Sequence, residues 1–255
     1  MNRIWAIAWN TCREAIRDRV LYSILFFAGL VLVLSLMAEE ITIGDQEKVV
    51  RGVAQGAVSL FSSIIAMFLG VGLVWKELER KTIYTIASKP IPRWMFLVGK
   101  YLGLLLTLTM NVGLMMALYF VVLTAQQGLP HPNILAFVVL LLLKLMLLTA
   151  WATLFSTYSG PTTATAFTLS IFVIGHVADD IWLFGQQAES PMIRQISAAL
   201  YWVLPNFEMF NVQAQTTHLL PVSLSYVAQA AAYGLGYTVV VLAAAVAIFQ
   251  RRDFK

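Results

Sequence analysis

Long apolar runs separated by short polar segments dominate the chain. A helix needs about 20 mainly apolar residues to cross the hydrocarbon core of a bilayer. Six runs are of roughly this length, and the third is long enough to tilt. We therefore predict an all-α polytopic membrane protein with a single domain, 1–255, and transmembrane helices at 20–38, 57–74, 96–124, 134–155, 162–184 and 226–249.

The composition indicates that the bilayer, and not water, is the solvent of this chain. Hydrophobic residues make up 60% of the sequence and charged residues 12%, whereas an ordinary soluble domain is about 25% charged. The net charge is +4, and the loops between the apolar runs account for it. Because basic residues interleaved with aromatic residues are absent elsewhere, we expect no nucleic-acid partner.

The segment between the second and third runs concentrates positive charge. Lys and Arg in short loops stay on the cytoplasmic side of a membrane, so we predict a cytoplasmic loop at 75–95. Both chain termini then lie in the cytoplasm, and the basic residues on outer segments are Lys48, Arg51 and Arg194. The central segment carries Lys76, Arg80, Lys81, Lys89, Arg93 and Lys100 against Glu77 and Glu79.

Residues 1–19 precede the first apolar run and place Trp5, Trp9, Cys12 and Ile16 at helical spacing. This pattern predicts an N-terminal amphipathic helix at the inner membrane surface, and a solvated polar start is the alternative. The first run lacks a signal-peptidase site and is expected to remain as an anchor. Cys12 is the single cysteine and is expected to stay reduced.

An external helical segment is predicted between the fifth and sixth spans. Ser190 followed by Pro191 is typical of a helix start, and Pro205 ends the pattern. Between them lies an apolar stripe, with aromatic residues that suit the outer membrane interface. The stripe consists of Ile193, Ile196, Leu200 and Val203.

Motifs for catalysis or cofactor binding are not recognisable in the chain. Gly99-Lys100 imitates the end of a phosphate-binding loop, yet Trp94 and Tyr101 stand where that motif requires Gly and Ser or Thr. The best metal candidate is His176 with Asp179 and Asp180, although polar residues at the end of a span explain them more simply. We expect no metal, no cofactor and no catalytic site in this chain.

Lys144 is a basic residue in the middle of an apolar run. Placing a lysine near the bilayer centre costs roughly 2.5–3.5 kcal/mol on insertion scales, so it needs a partner or water. We hypothesise that Lys144 faces the interior or a subunit seam near Asp179 or Asp180, and that these residues mark a candidate translocation path. Snorkelling toward the interface is the alternative.

The central loop combines a helix-permissive stretch with a rigid break. Residues 77–87 can form a short helix, which Pro90 and Pro92 prevent from continuing. A new helix is then predicted to start near Arg93. Such a stiff, basic element between two spans is suited to docking another protein.

This loop resembles that of the ABC-2 family permeases, in which an acid, a threonine, Ser-Lys-Pro, an arginine and Gly-Lys follow one another. Lesser similarity lies in the amphipathic start, in Leu204-Pro205-Asn206-Phe207 and in the terminal Phe249-Gln250-Arg251-Arg252-Asp253-Phe254. The loop residues that carry the resemblance are Glu79, Thr82, Ser88, Lys89, Pro90, Arg93, Gly99 and Lys100.

The resemblance implies a permease subunit of an ABC transporter in the cell's inner membrane, surrounded by lipid. Its loop would act as a coupling helix in a cleft of a cytoplasmic ATPase subunit, and MgATP would bind that partner. A second permease copy or homologue would complete a dimer around the path. The implied docking residues are Glu79, Thr82, Ser88, Lys89, Pro90 and Arg93.

Two other functions stay open at the level of sequence. A membrane scaffold would use the same loop to recruit a cytoplasmic protein without moving a substrate. A secondary transporter would show broken helices and midplane charges in matching halves, and only Lys144 fits that pattern.

Overall fold

The computed structural model describes residues 3–34, 46–79, 92–125 and 132–251. Within these ranges the regular structure is helical and contains no strand, which confirms the all-α prediction for this part of the chain. A 3₁₀ turn lies at Glu208–Phe210. The helices are α1 (Arg3–Ile16), α2 (Arg19–Leu34), α3 (Gln46–Glu79), α4 (Arg93–Ala125), α5 (Asn133–Tyr158), α6 (Pro161–His176), α7 (Ala178–Gln187), α8 (Pro191–Val203), α9 (Gln213–Thr217) and α10 (Leu224–Arg251).

Four of the described helices are long and apolar enough to cross a membrane, and a fifth span results if α6 and α7 count as one. The four spans are Lys48–Leu73, Arg93–Thr124, Asn133–Tyr158 and Leu224–Arg251. The first predicted span, 20–38, is represented by α2, and its last residues lie outside the described part of the chain. The described residues thus give four or five spans where the sequence predicts six.

The helix of the second span is longer than its apolar run. α3 begins at Gln46, within the predicted outer loop, and continues to Glu79, within the predicted coupling loop. Contacts with α9 explain the early start, because the Gln213 side chain donates a hydrogen bond to the Gly52 carbonyl at 2.8 Å. Val50 and Ala54, one turn apart, are buried.

The fifth predicted span, 162–184, falls on two helices, α6 and α7. α6 and α7 meet at Val177 and are bent by 57° relative to each other. The Gly175 carbonyl, which in a continuous helix would accept from the residue four positions later, accepts a hydrogen bond from the Phe207 backbone N–H at 2.8 Å. A distant segment therefore stabilises the break.

α5 is apolar around its whole circumference, which is typical of a helix buried among others. It contacts α3, α4, α6 and α10. Its crossing with α3 depends on Gly70, where a Cβ atom would lie 2.5 Å from the Ala152 Cβ. Beside that crossing, the Ser156 hydroxyl donates to the Val71 carbonyl at 2.7 Å.

α1 packs against α4 through small residues. A Cβ atom at Gly103 would lie 2.4 Å from the Ala8 carbonyl oxygen, so this close approach requires glycine. The buried side of α1 includes Ala8 and Cys12, whereas Trp5 and Trp9 are about half exposed, at 50% and 45%. The predicted helix is present, and the predicted Trp5, Trp9, Cys12 and Ile16 stripe is divided between its packed and open sides.

Candidate functional site

Most of the predicted docking loop lies outside the described residues. This applies to Thr82, Ser88, Lys89 and Pro90. Glu79 is the last residue of α3, and Arg93 is the first residue of α4, as the sequence predicts for the helix after the prolines. The structure therefore describes the two helices that carry the loop.

Arg93 joins the exit of this loop to the end of the chain. Its guanidinium Nη1 donates a hydrogen bond to the Gln250 backbone carbonyl at 3.2 Å, and an arginine is favourable at the carbonyl end of a helix. The Phe96 and Phe249 rings stack with centroids 6.4 Å apart. The Lys100 ammonium lies 5.4 Å from the Phe96 ring centroid. We call this group of residues the basic end of the bundle.

Two stretches that the sequence singled out separately thus come together at the basic end. They are the start of α4, from the central loop motif, and the terminal Phe249-Gln250 pair. α1 packs on the same part of α4, because a Cβ atom at Gly99 would lie 2.9 Å from the Ile7 Cβ. The chain start, the loop exit and the chain end form one unit here.

Asn206 organises the other end of the bundle, which we call the hairpin end because α7 and α8 lie there. Asn206 is 6% exposed, and its side-chain N–H donates to the Asp179 carboxylate at 2.7 Å. Its side-chain oxygen accepts from the Glu208 backbone N–H at 2.9 Å. Its own backbone N–H donates to the Tyr233 hydroxyl at 2.9 Å. One residue therefore links α7, the segment after α8 and α10.

Phe207 inserts beside Asn206. Its side chain is fully buried, and its ring lies 5.6 Å from the His176 ring centroid. A Cβ atom at Gly175 would lie 2.4 Å from the Phe207 ring, so glycine is required at this contact. The Leu204-Pro205-Asn206-Phe207 motif thus anchors the hairpin end to the junction of α6 and α7.

Lys144 is buried inside the bundle, with 6% of its surface exposed. Its ammonium donates to the Ser59 hydroxyl at 3.1 Å and lies 5.5 Å from the Phe172 ring centroid. Glu208 interacts with it electrostatically. Among the described side chains, neither Asp179 nor Asp180 forms a salt bridge with Lys144, and the contacts of its ammonium are the Ser59 hydroxyl and the Phe172 ring.

The candidate metal group does not assemble in the described part of the chain, where no three His, Cys, Asp or Glu side chains are placed to share an ion. His176 Nδ1 bonds to the Phe172 carbonyl at 2.7 Å. The Asp179 carboxylate accepts a hydrogen bond from the Asn206 side chain. Asp180 instead lines a cavity between α7 and α8.

Sequence reasoning missed the partners of the candidate residues. Ser59 lies 85 positions from Lys144, and Gln55 accepts a hydrogen bond from Thr216 at 2.6 Å. A signal was present, since a polar side chain in an apolar run needs a partner. The sequence therefore shows which side chains need a hydrogen-bond partner. The packing of α3 against α5 and α9 determines which residue is that partner.

These features define a multi-pass helical membrane protein in which polar side chains tie the helices together at the hairpin end. The sequence model of the ABC-2 family transporter proteins matches residues 5–254. The chain belongs to this family. A search of curated proteins found no match.

Proposed function

We propose that this chain is the permease subunit of an ABC transporter and moves a substrate across the cell's inner membrane with ATP hydrolysed on a separate subunit. The observation that carries the proposal is the family match, which extends over residues 5–254. A partial match would be compatible with a shared module in a different kind of protein. A match of this extent includes the spans, the central loop and the terminal segment together.

The central loop is the proposed docking site for the ATPase. α3 and α4, which carry the loop, have 34 and 33 residues, so each is about 50 Å long. Such helices transmit a displacement at one end to the rest of the bundle. Nucleotide-driven closure of two ATPases would push the paired loops, and the helices would rock to open the path.

The proposed assembly places both termini and the basic end in the cytoplasm, and the hairpin end outside. This orientation follows from the concentration of Lys and Arg around the loop. MgATP would bind the ATPase, and this chain would contribute no catalytic group. A second permease, identical or homologous, would complete the path, with lipid around the pair.

The decisive experiment uses the chain together with the ATPase that co-purifies with it, reconstituted into liposomes. The compound that stimulates ATP hydrolysis most strongly in a screen is then used as the transported substrate. Glu79→Ala combined with Arg93→Ala should preserve membrane insertion and abolish the stimulation, because these residues flank the docking loop. Uptake and hydrolysis are measured in parallel.

A matched control keeps this test specific. Glu189→Ala combined with Arg194→Ala removes one acid and one base at the hairpin end and should leave the coupling unchanged. Glu79→Ala alone keeps the hydrogen bond from Arg93 to Gln250, so it separates the loss of docking from the loss of that contact. Normal coupling in the Glu79 and Arg93 double variant would contradict the proposal, as would labelling of a cysteine at position 89 from outside the cell.

A further inference from the structure

Helices α7 and α8 border an open, groove-like apolar cavity of about 390 Å³. Protein sites for small molecules have volumes of about 300–1,000 Å³ and combine apolar walls with a few polar groups that fix orientation. α7 contributes Asp180, Ile181 and Phe184 to the lining, and α8 contributes Ile193, Ile196, Ser197 and Leu200. Asp180 is the charged residue among them.

Direct contacts between α7 and α8 fix the positions of these two helices, which are the walls of the cavity. A Cβ atom at Gly185 would lie 1.7 Å from the Ser197 Oγ, so the helices cross in direct contact there. The Trp182 and Tyr201 rings pack with centroids 5.1 Å apart. The cavity is therefore formed before any ligand arrives, which reduces the entropic cost of binding.

Two adjacent carboxylates have different roles at this site. Asp179 accepts the Asn206 hydrogen bond at 2.7 Å and belongs to the anchor of the hairpin end. Asp180 is exposed, and among the described residues its carboxylate has neither a hydrogen-bond partner nor a salt-bridge partner. An exposed acidic residue thus lies among the residues that line an apolar space.

The surrounding charge is also negative. Between residues 178 and 203 the sequence contains Asp179, Asp180 and Glu189 against Arg194. The Arg194 guanidinium donates to the Ala188 carbonyl at 3.3 Å. A ligand with a positive head group is therefore favoured over one with a negative head group.

The apolar lining points to a hydrocarbon chain as the other part of the ligand. Phe184 is 70% exposed and Ile196 49% exposed, so their apolar surface is accessible to a hydrocarbon chain. We infer that the cavity between α7 and α8 binds a cationic amphiphile, with its alkyl chain against Phe184 and Ile196 and its ammonium group at Asp180.

This inference is independent of the proposed transport function. It rests on the cavity, on the packing of its two walls and on the exposed carboxylate of Asp180. It holds whether the amphiphile is a substrate, an effector or a lipid. A failure in the coupling assay would not affect it. Conversely, an empty cavity would leave the coupling assay unchanged.

The test uses two photoreactive probes with the same dodecyl chain, one with a trimethylammonium head and one with an uncharged maltoside head. Each is added to the purified chain in phosphatidylcholine nanodiscs, and mass spectrometry measures crosslinks on the α7 and α8 peptides. The cationic probe should give about two- to fivefold more crosslinking, the range expected for one accessible ion pair.

Three variants separate the contributions. Asp180→Asn should abolish the preference for the cationic probe, and Glu189→Gln, an acid of the same hairpin outside the cavity lining, should retain it. Ile196→Trp should fill the cavity and reduce crosslinking by both probes. Thermal unfolding of each variant shows whether it remains folded.

Several results would overturn the inference. Equal crosslinking by the two probes in the unmodified chain would mean that the cavity takes up hydrocarbon without recognising charge. An unchanged preference in Asp180→Asn would place the cation elsewhere. Crosslinks from α8 to a second copy of the chain, insensitive to excess amphiphile, would identify a protein contact instead.

Discussion

Both ends of the bundle contain close glycine contacts, but they differ in the number of side-chain hydrogen bonds that join their segments. At the basic end, α1 lies against Gly99 and Gly103 of α4 with no space for a side chain between them. At the hairpin end, Asn206, Gln55 and Gln213 join the segments by side-chain hydrogen bonds. Close packing transmits strain with little deformation, whereas each side-chain hydrogen bond contributes roughly 0.5–1.5 kcal/mol to stability.

This difference suits the two ends to different roles in the proposed transporter. An end that receives a push must transmit it without deforming, and the packed basic end meets that requirement. An end that opens and closes must exchange a small number of bonds at limited cost.

The largest effect on stability is expected for Asn206→Ala. The substitution removes the donor to Asp179 and the acceptor for the Glu208 and Met209 backbone N–H groups. Leaving such buried groups without partners should cost about 3 kcal/mol. Thermal unfolding in detergent measures the loss, and the comparison variant is Asn211→Ala, an exposed asparagine of the same segment. Equal destabilisation by both variants would contradict the central role of Asn206.

A somewhat smaller effect, about 2 kcal/mol of overpacking, is expected for Gly103→Leu. The new side chain would displace α1 and uncover Cys12, which is 1% exposed. Since Cys12 is the single cysteine, its rate of maleimide labelling reports this displacement directly, and the rate should rise. Gly113→Leu on the same helix meets nothing within 4 Å and serves as the control. An unchanged labelling rate in Gly103→Leu would mean that α4 adjusts instead of α1.

The smallest effect on stability is expected for Lys144→Met. Replacing a buried charge by an apolar side chain of similar size is often neutral or stabilising, so the unfolding temperature should stay equal or rise. Transport should fall if the charge belongs to the path, and Lys144→Arg should retain more of it. Thermal unfolding and the liposome uptake assay give the two readouts. Unchanged transport in Lys144→Met would remove Lys144 from the candidate path.

Local patterns predicted the elements whose causes are local. The start of α8 at Pro191 and of α4 at Arg93 follows from proline, which suits a first helical turn and disfavours continuation of a preceding helix. The bend at Val177 was not predicted, because its cause is the hydrogen bond from the Phe207 N–H to the Gly175 carbonyl. These two residues lie far apart in the sequence, so no local pattern indicates that they are in contact.

The order of residues was enough to predict a helical membrane protein, since apolar run length and loop charge depend on nothing else. The motif of the central loop carried the resemblance to the ABC-2 family, which the match over residues 5–254 shows. The sequence also marked Lys144, Asp179 and Asp180 as polar residues that need an explanation. Three contacts became visible in the folded chain: Lys144 bonds to Ser59, Asn206 bonds to Asp179, and Asp180 borders the cavity. The physical reason is that hydrogen bonds and cavities form between segments far apart in the chain, where no local pattern specifies which side chains meet.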